Sequence, residues 1–225
     1  MLCSAAVAQF LPDLQASSPE EFDAYIDVVR AGDAKAIVEA ARRFLRTWPS
    51  SELQLRVHEL QFEAYRTLGD AAGSIATGER GITLAPDYLP LLSGTASVLA
   101  NTAADAARLK RSQAYADKAL SLLATAKAPR TITPAEWLEA TGRLKAESLS
   151  ALGVIAYKRG NIAEAVHQLE AANAARPSPE HQFRLAVLYR EVGRAGQARA
   201  LLENVMAHGE PALRSRARRL YETWK

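Results

Sequence analysis

The side chains able to do chemistry are scattered along this chain rather than gathered. The four histidines, His58, His167, His181 and His208, stand far apart and in no metal-ligating spacing. One cysteine, Cys3, allows neither an internal disulfide nor a zinc set. Among the carboxylates, Glu20 and Glu21 follow Ser18-Pro19 and belong to a helix start, where the helix dipole favours negative charge. Glu59 and Glu63 lie one turn apart on a predicted helix surface. No phosphate-cradling glycine loop, nucleophile elbow or HExxH pattern occurs. The sequence therefore predicts no enzyme, no metal and no cofactor. A basic run near the end, Arg214, Arg216, Arg218 and Arg219, could meet nucleic acid or another anionic surface. A nucleic-acid face carries a wider basic stripe, so a solvated helix face is the better reading.

Composition limits what can position such groups. With 48% hydrophobic and 24% charged residues in 225, the chain is that of a folded protein. Alanine is abundant and β-branched residues never alternate in runs, which favours helices throughout. A net charge of +3 does not call for nucleic acid or a membrane surface. No stretch reaches the ~18 apolar residues needed to span a bilayer. In the opening MLCSAAVAQF, Ala6-Val7-Ala8 before Gln9 resembles a signal-peptide cleavage site, yet the basic region and full apolar core that precede one are missing. Residues 1–17 are either the remnant of a longer signal peptide, which would place the protein in the periplasm or at the cell surface, or a flexible terminus of a cytoplasmic protein.

The clearest element is the stretch Glu147–Ser178. Its first helical pattern puts Leu149, Leu152, Gly153, Ala156 and Tyr157 on one face. Gly160-Asn161 breaks that helix. A second pattern follows, with Ile162, Ala165, Val166, Leu169 and Ala172 on one face, and Pro177 closes the unit. The small residues Gly153, Ala165 and Ala172 allow two antiparallel helices to approach closely.

Leu149-x2-Leu152-Gly153-x2-Ala156, then Ala165-x3-Leu169 and Pro177, resembles the tetratricopeptide repeat as found in bacterial repeat proteins, with Leu149 in place of the signature tryptophan and Ala156 in place of its tyrosine. The same grammar recurs. Gly32 to Gly69 and Pro49 to Pro86 are both offsets of 37, while Gly160 to Gly193 and Ala165 to Ala198 are both offsets of 33. Ser18-Pro19-Glu20-Glu21 and Thr133-Pro134-Ala135-Glu136 read as capped helix starts, the first opening a helix that carries Phe22, Tyr25, Ile26 and Val29. Ser50 or Ser51 should cap the helix carrying Leu55, His58, Phe62, Tyr65 and Leu68. The helix holding Ile75, Gly78, Gly81, Ile82 and Leu84 should be soft, because each interior glycine costs ~0.5–1 kcal/mol relative to alanine. The link from Asn101 to Arg111 is longer than in the other pairs and has no glycine turn, and the second helix of this pair is expected to be long, starting near Ala103, with Ala114, Ala119, Leu120 and Leu123 buried. Residues 124–132 read as a linker, and Gly142 as a weak point in the long helix that follows.

The resemblance implies an all-α, right-handed superhelix (an α-solenoid) of about five antiparallel helix pairs plus a C-terminal capping helix. The pairs span about 18–50, 51–86, 87–124, 133–177 and 178–209, and the cap 210–225, in one solenoid. It also implies a scaffold or adaptor that binds a peptide or protein segment on the concave surface lined by the first helix of each pair. Transferred repeat by repeat, that surface holds Glu59, Glu63 and Arg66, then Ser93, Ser97 and Asn101. In the later repeats it holds Ser150, Val154, Tyr157 and Lys158, then Phe183, Val187 and Arg190. The Lys-Asn clamp with which chaperone binders of this type hold a terminal carboxylate is not reproduced. The alternative is a binder of nucleic acid or another anionic surface through the C-terminal arginines.

Overall fold

The computed structural model describes residues 15–128 and 133–224, and the expectations for residues 1–14 and for the 129–132 part of the linker lie outside them. The described residues contain eleven α-helices and no strand: α1 Pro19–Arg30, α2 Ala34–Thr47, α3 Gln54–Thr67, α4 Ala71–Leu84, α5 Leu89–Thr102, α6 Ala106–Thr125, α7 Pro134–Lys158, α8 Ile162–Ala175, α9 Pro179–Glu191, α10 Ala195–His208 and α11 Pro211–Thr223. They fall into two compact units that part between Ala140 and Thr141, inside α7 and beside Gly142. The first stacks the pairs α1/α2, α3/α4 and α5/α6. The second stacks α7/α8 and α9/α10, followed by α11.

Short-range chemistry sets the helix boundaries. The Ser18 hydroxyl accepts from the Glu21 amide (3.2 Å), with Pro19 opening α1. At the start of α7, Thr133 and Glu136 satisfy each other's amides, the Thr133 N–H donating to the Glu136 carboxylate (2.9 Å) and the Glu136 N–H to the Thr133 hydroxyl (3.3 Å). Asp33, Asp70, Asp105 and Asn161 cap α2, α4, α6 and α8 in the same manner. Three pairs turn through one geometry. Gly69, Gly160 and Gly193 have φ of 71°, 77° and 80°, a left-handed conformation that glycine adopts without steric cost. In each, the residue after the glycine donates back to the carbonyl five positions earlier: Asp70 to Tyr65, Asn161 to Ala156 and Arg194 to Tyr189, at 3.0, 2.9 and 2.7 Å. This is the Schellman helix end.

In the first unit Val28, Ala40, Ala41, Phe44, Leu53 and Val57 form one buried cluster, and Leu55, Phe62, Tyr88 and Leu91 another. In the second, Ala156, Ala165, Val166 and Leu169 are continuous with Leu185, Ala186, Ala198, Leu202 and Val205. Gly153 makes the expected close crossing, for a Cβ there would lie 2.8 Å from Leu169 Cγ.

Several expectations are corrected. The Ser51 hydroxyl accepts from the Leu53 amide (2.9 Å) in the turn before α3, whose own N-cap is Leu53 without a side-chain bond. The second helix of the third pair is long, as expected, and starts at Ala106; the connection itself is only residues 103–105, because Asp105 caps α6 at once. That helix buries Ser112, Ala116 and Ala119, whereas Ala114 is exposed; the small stripe faces α5, and the Ser112 hydroxyl donates to the Ala96 carbonyl (2.7 Å). Among the apolar residues of α1 it is Val28 that is buried, while Phe22 and Val29 are about half exposed, since α1 packs on α2 and α3 through a narrower face than its apolar residues cover. Leu68 and Leu84, at the ends of α3 and α4, and Tyr157 at the end of α7 are exposed rather than part of the buried stripe. The glycines of α4 have a packing role. A Cβ on Gly78 would lie 2.0 Å from Thr95 Oγ1, and one on Gly81 2.1 Å from Leu91 Cδ1, so both mark places where α4 lies against α5.

Candidate functional site

In the first unit the first helices of successive pairs are neighbours, α1 touching α3 and α3 touching α5. Gly94 allows the last approach: a Cβ there would stand 2.6 Å from the Phe62 ring and 3.8 Å from the Arg66 guanidinium. This brings Glu63 and Arg66 of α3 beside α5, which carries Ser97 and Asn101. Arg66 donates to Glu63 (3.2 Å), its guanidinium 5.7 Å from the Phe62 ring centre, and the Asn101 amide donates to the Ser97 carbonyl (2.8 Å). Glu63, Arg66 and Asn101 are exposed and Ser97 is half-buried.

Glu59 is placed differently. Its carboxylate accepts from Tyr88 Oη (2.7 Å) and pairs with Arg56, which also reaches Tyr88. Burial and the adjoining carboxylate push the Tyr88 phenol far above its ordinary value, so it stays a donor. This trio ties α3 to the start of α5. Ser93 is also turned inward and donates to the Leu89 carbonyl (2.9 Å).

In the second unit Tyr157 and Lys158 are exposed at the end of α7. Ser150 is buried and accepts from Arg184 (2.9 Å). Phe183 and Arg190 both face α11: the Arg216 guanidinium lies 4.9 Å from the Phe183 ring centre, and Arg190 lies 5.5 Å from that of Trp224. α11 adds Ala217 to the core, with Leu213, Leu220, Tyr221 and Trp224 packed around it. Of its four arginines, Arg214, Arg218 and Arg219 are exposed away from that ring contact.

Sequence reasoning missed a second surface. Between α2 and α4, over α3, lies an open cleft of about 760 Å³. Arg42, Arg43, Arg46 and Arg80 line it against a single acid, Glu39. Arg42 donates to Tyr65 Oη (2.8 Å), and the buried Gln61 and Thr77 form part of the floor, where Thr77 donates to the Gln61 amide oxygen at 3.5 Å. The signal was present in the run ARRFLR and in the offset of 37 from Arg43 to Arg80, the spacing that relates the first two pairs. Among the described residues no group of histidine, cysteine or carboxylate side chains could hold a metal ion, and no helix is long and apolar enough to cross a membrane.

This architecture is that of the tetratricopeptide-repeat solenoids, a class defined by antiparallel helix pairs joined through a glycine turn and stacked on their neighbours. No family model and no curated protein matches the chain. Among solved structures it is similar to TTC0263, a thermophilic tetratricopeptide-repeat protein of Thermus thermophilus, at 21% identity over 88% of this chain and 96% of that one, with a TM-score of 0.55. It is also similar to MamA, residue 41 to the end, from Desulfovibrio magneticus RS-1, at 12% identity over 85% and 96%, with a TM-score of 0.61. At these identities the likeness is one of fold. The chain is a helical-repeat protein with the tetratricopeptide fold.

Proposed function

We propose that this chain is a protein-interaction scaffold that holds a peptide or protein segment against the first helices of its pairs. The observation that carries the reading is the α3/α5 approach, where Gly94 lets two such helices lie close, with Glu63 and Arg66 on one and Ser97 and Asn101 on the other. A stack of this kind buries its apolar stripes internally and leaves its outer rows of side chains to recognise a partner. Tyr157 and Lys158 are the candidates of the second unit.

Photo-crosslinking in the native cell tests this. A benzophenone side chain at Ser97 should give discrete protein adducts, and the same group at exposed Ala72 of α4 should not. Adducts of equal yield from both positions, or none from Ser97, would refute the assignment to this face.

A further inference from the structure

The cleft between α2 and α4 has features the scaffold reading does not use. Its four arginines are exposed, and none forms an ion pair with a carboxylate of the described residues. Several exposed cations elsewhere are paired, among them Arg111 with Glu79, Lys118 with Asp87 and Arg194 with Glu170. A concentration of unpaired guanidinium groups against one glutamate leaves a positive field in a concave place, which draws anions. The floor is polar as well. Gln61, 3% exposed, holds only long contacts, to the Val38 carbonyl and from Thr77, both 3.5 Å.

The spacing favours an extended acidic chain. Arg42 and Arg46 are one turn apart on α2, ~6 Å along the axis. Alternate side chains of an extended polypeptide repeat every ~6.6 Å. Carboxylates at every second position could therefore meet successive arginines, and guanidinium matches carboxylate in a two-bond fork. Single-stranded nucleic acid is less well served. The one aromatic ring in the cleft, Tyr65, is 7% exposed and already lies under the Arg42 guanidinium, which leaves no face on which a base could stack. We infer that the α2/α4 cleft is a second binding site, on the second-helix side of the stack, for an acidic segment of a partner polypeptide.

The probe is a fluorescent peptide of about eight residues alternating aspartate and alanine, with its asparagine counterpart and an oligothymidine of equal charge beside it. Anisotropy is followed with the full chain at low ionic strength, where surface charge is least screened. The aspartate peptide should bind saturably and the asparagine peptide should not. Arg43→Gln/Arg46→Gln should weaken binding about tenfold, as two exposed pairs allow, while Arg214→Gln/Arg218→Gln, with the same net charge, should change it by under about twofold. Circular dichroism checks folding. If the double variant unfolds, Arg80→Gln takes its place, with a loss of about threefold expected. The inference is overturned if no saturable binding occurs, if the two double variants lose affinity equally, or if oligothymidine binds as tightly through the same arginines. Crosslinking from Ser97 reports on the other face and does not bear on this result.

Discussion

Replacing Gly78 by alanine separates two opposing effects of glycine in a helix. Alanine is the better helix former by about 1 kcal/mol, so from sequence alone the substitution should stiffen and stabilise α4. The packing opposes this. The new methyl would lie 2.0 Å from Thr95 Oγ1 and 3.2 Å from the Phe62 ring, and both neighbours are fully buried. Overpacking of this kind costs ~1–3 kcal/mol. A 2.0 Å approach between fully buried groups belongs to the upper part of that range, about 2–3 kcal/mol, so with the propensity gain set against it the net effect should be a loss of about 1–2 kcal/mol. For a chain of this length that corresponds to a fall in Tm of about 2–8 °C by circular dichroism or calorimetry. Gly196→Ala is the control. It lies in the first turn of α10 with nothing within 4 Å of the added Cβ, so the same chemical change should raise Tm slightly. If Gly78→Ala melts at or above the parent temperature, α4 does not cross α5 as closely as described, and the packing account of its glycines fails.

Two further perturbations probe burial and backbone. His58 of α3 is buried, its Nδ1 has no hydrogen-bond partner, and burial together with nearby Arg80 lowers its pKa to about 4. Because the folded value lies below the unfolded ~6.5, this contribution is intact above pH 6.5 and is lost as pH falls toward 4. Between pH 7 and pH 5 the parent should lose about 1–2 kcal/mol that His58→Leu keeps, read from urea midpoints; an identical pH slope in both would remove His58 as the cause. At the turns, Gly160→Ala should cost about 1–2 kcal/mol because its φ of 77° is left-handed, whereas Gly32→Ala, with no positive φ and open space around it, should leave Tm unchanged or slightly raised. Equal effects at the two glycines would contradict the turn geometry.

What could be read from sequence was what neighbouring residues decide. Thr133 and Glu136 announce a helix start because the bonds that make it span only three residues, and Gly69, Gly160 and Gly193 announce helix ends because few other residues adopt their φ. Periodicity named the right face of α8 but missed Val28 in α1 and Ala116 in α6. An apolar stripe is wider than the strip a neighbour covers, and only the neighbour's position picks the strip. The candidate surface divides on the same ground. Glu63 and Arg66 stand where the register puts them, whereas Glu59, one turn earlier, is claimed by Tyr88, which lies 29 residues away in sequence. Phe183 and Arg190 suit an open face by spacing, yet α11 lies over them. The arginine cleft was hidden because its halves belong to two repeats, and it becomes one place only when α2 and α4 stand over α3.

The seating of α11 on α9 and α10 bears on how copies of such a stack could join. A solenoid whose last pair is bare offers a lipophilic landing for the first pair of another molecule, and repeated head-to-tail addition of that kind yields a filament. Here the landing is occupied from within. An incoming copy would have to dislodge Ala217 from the core, lift Arg216 from Phe183 and part the Arg199 guanidinium from the Trp224 carbonyl to reach this face. The face of α9 and α10 that α11 covers is therefore not available for such an addition, which would have to begin on another surface.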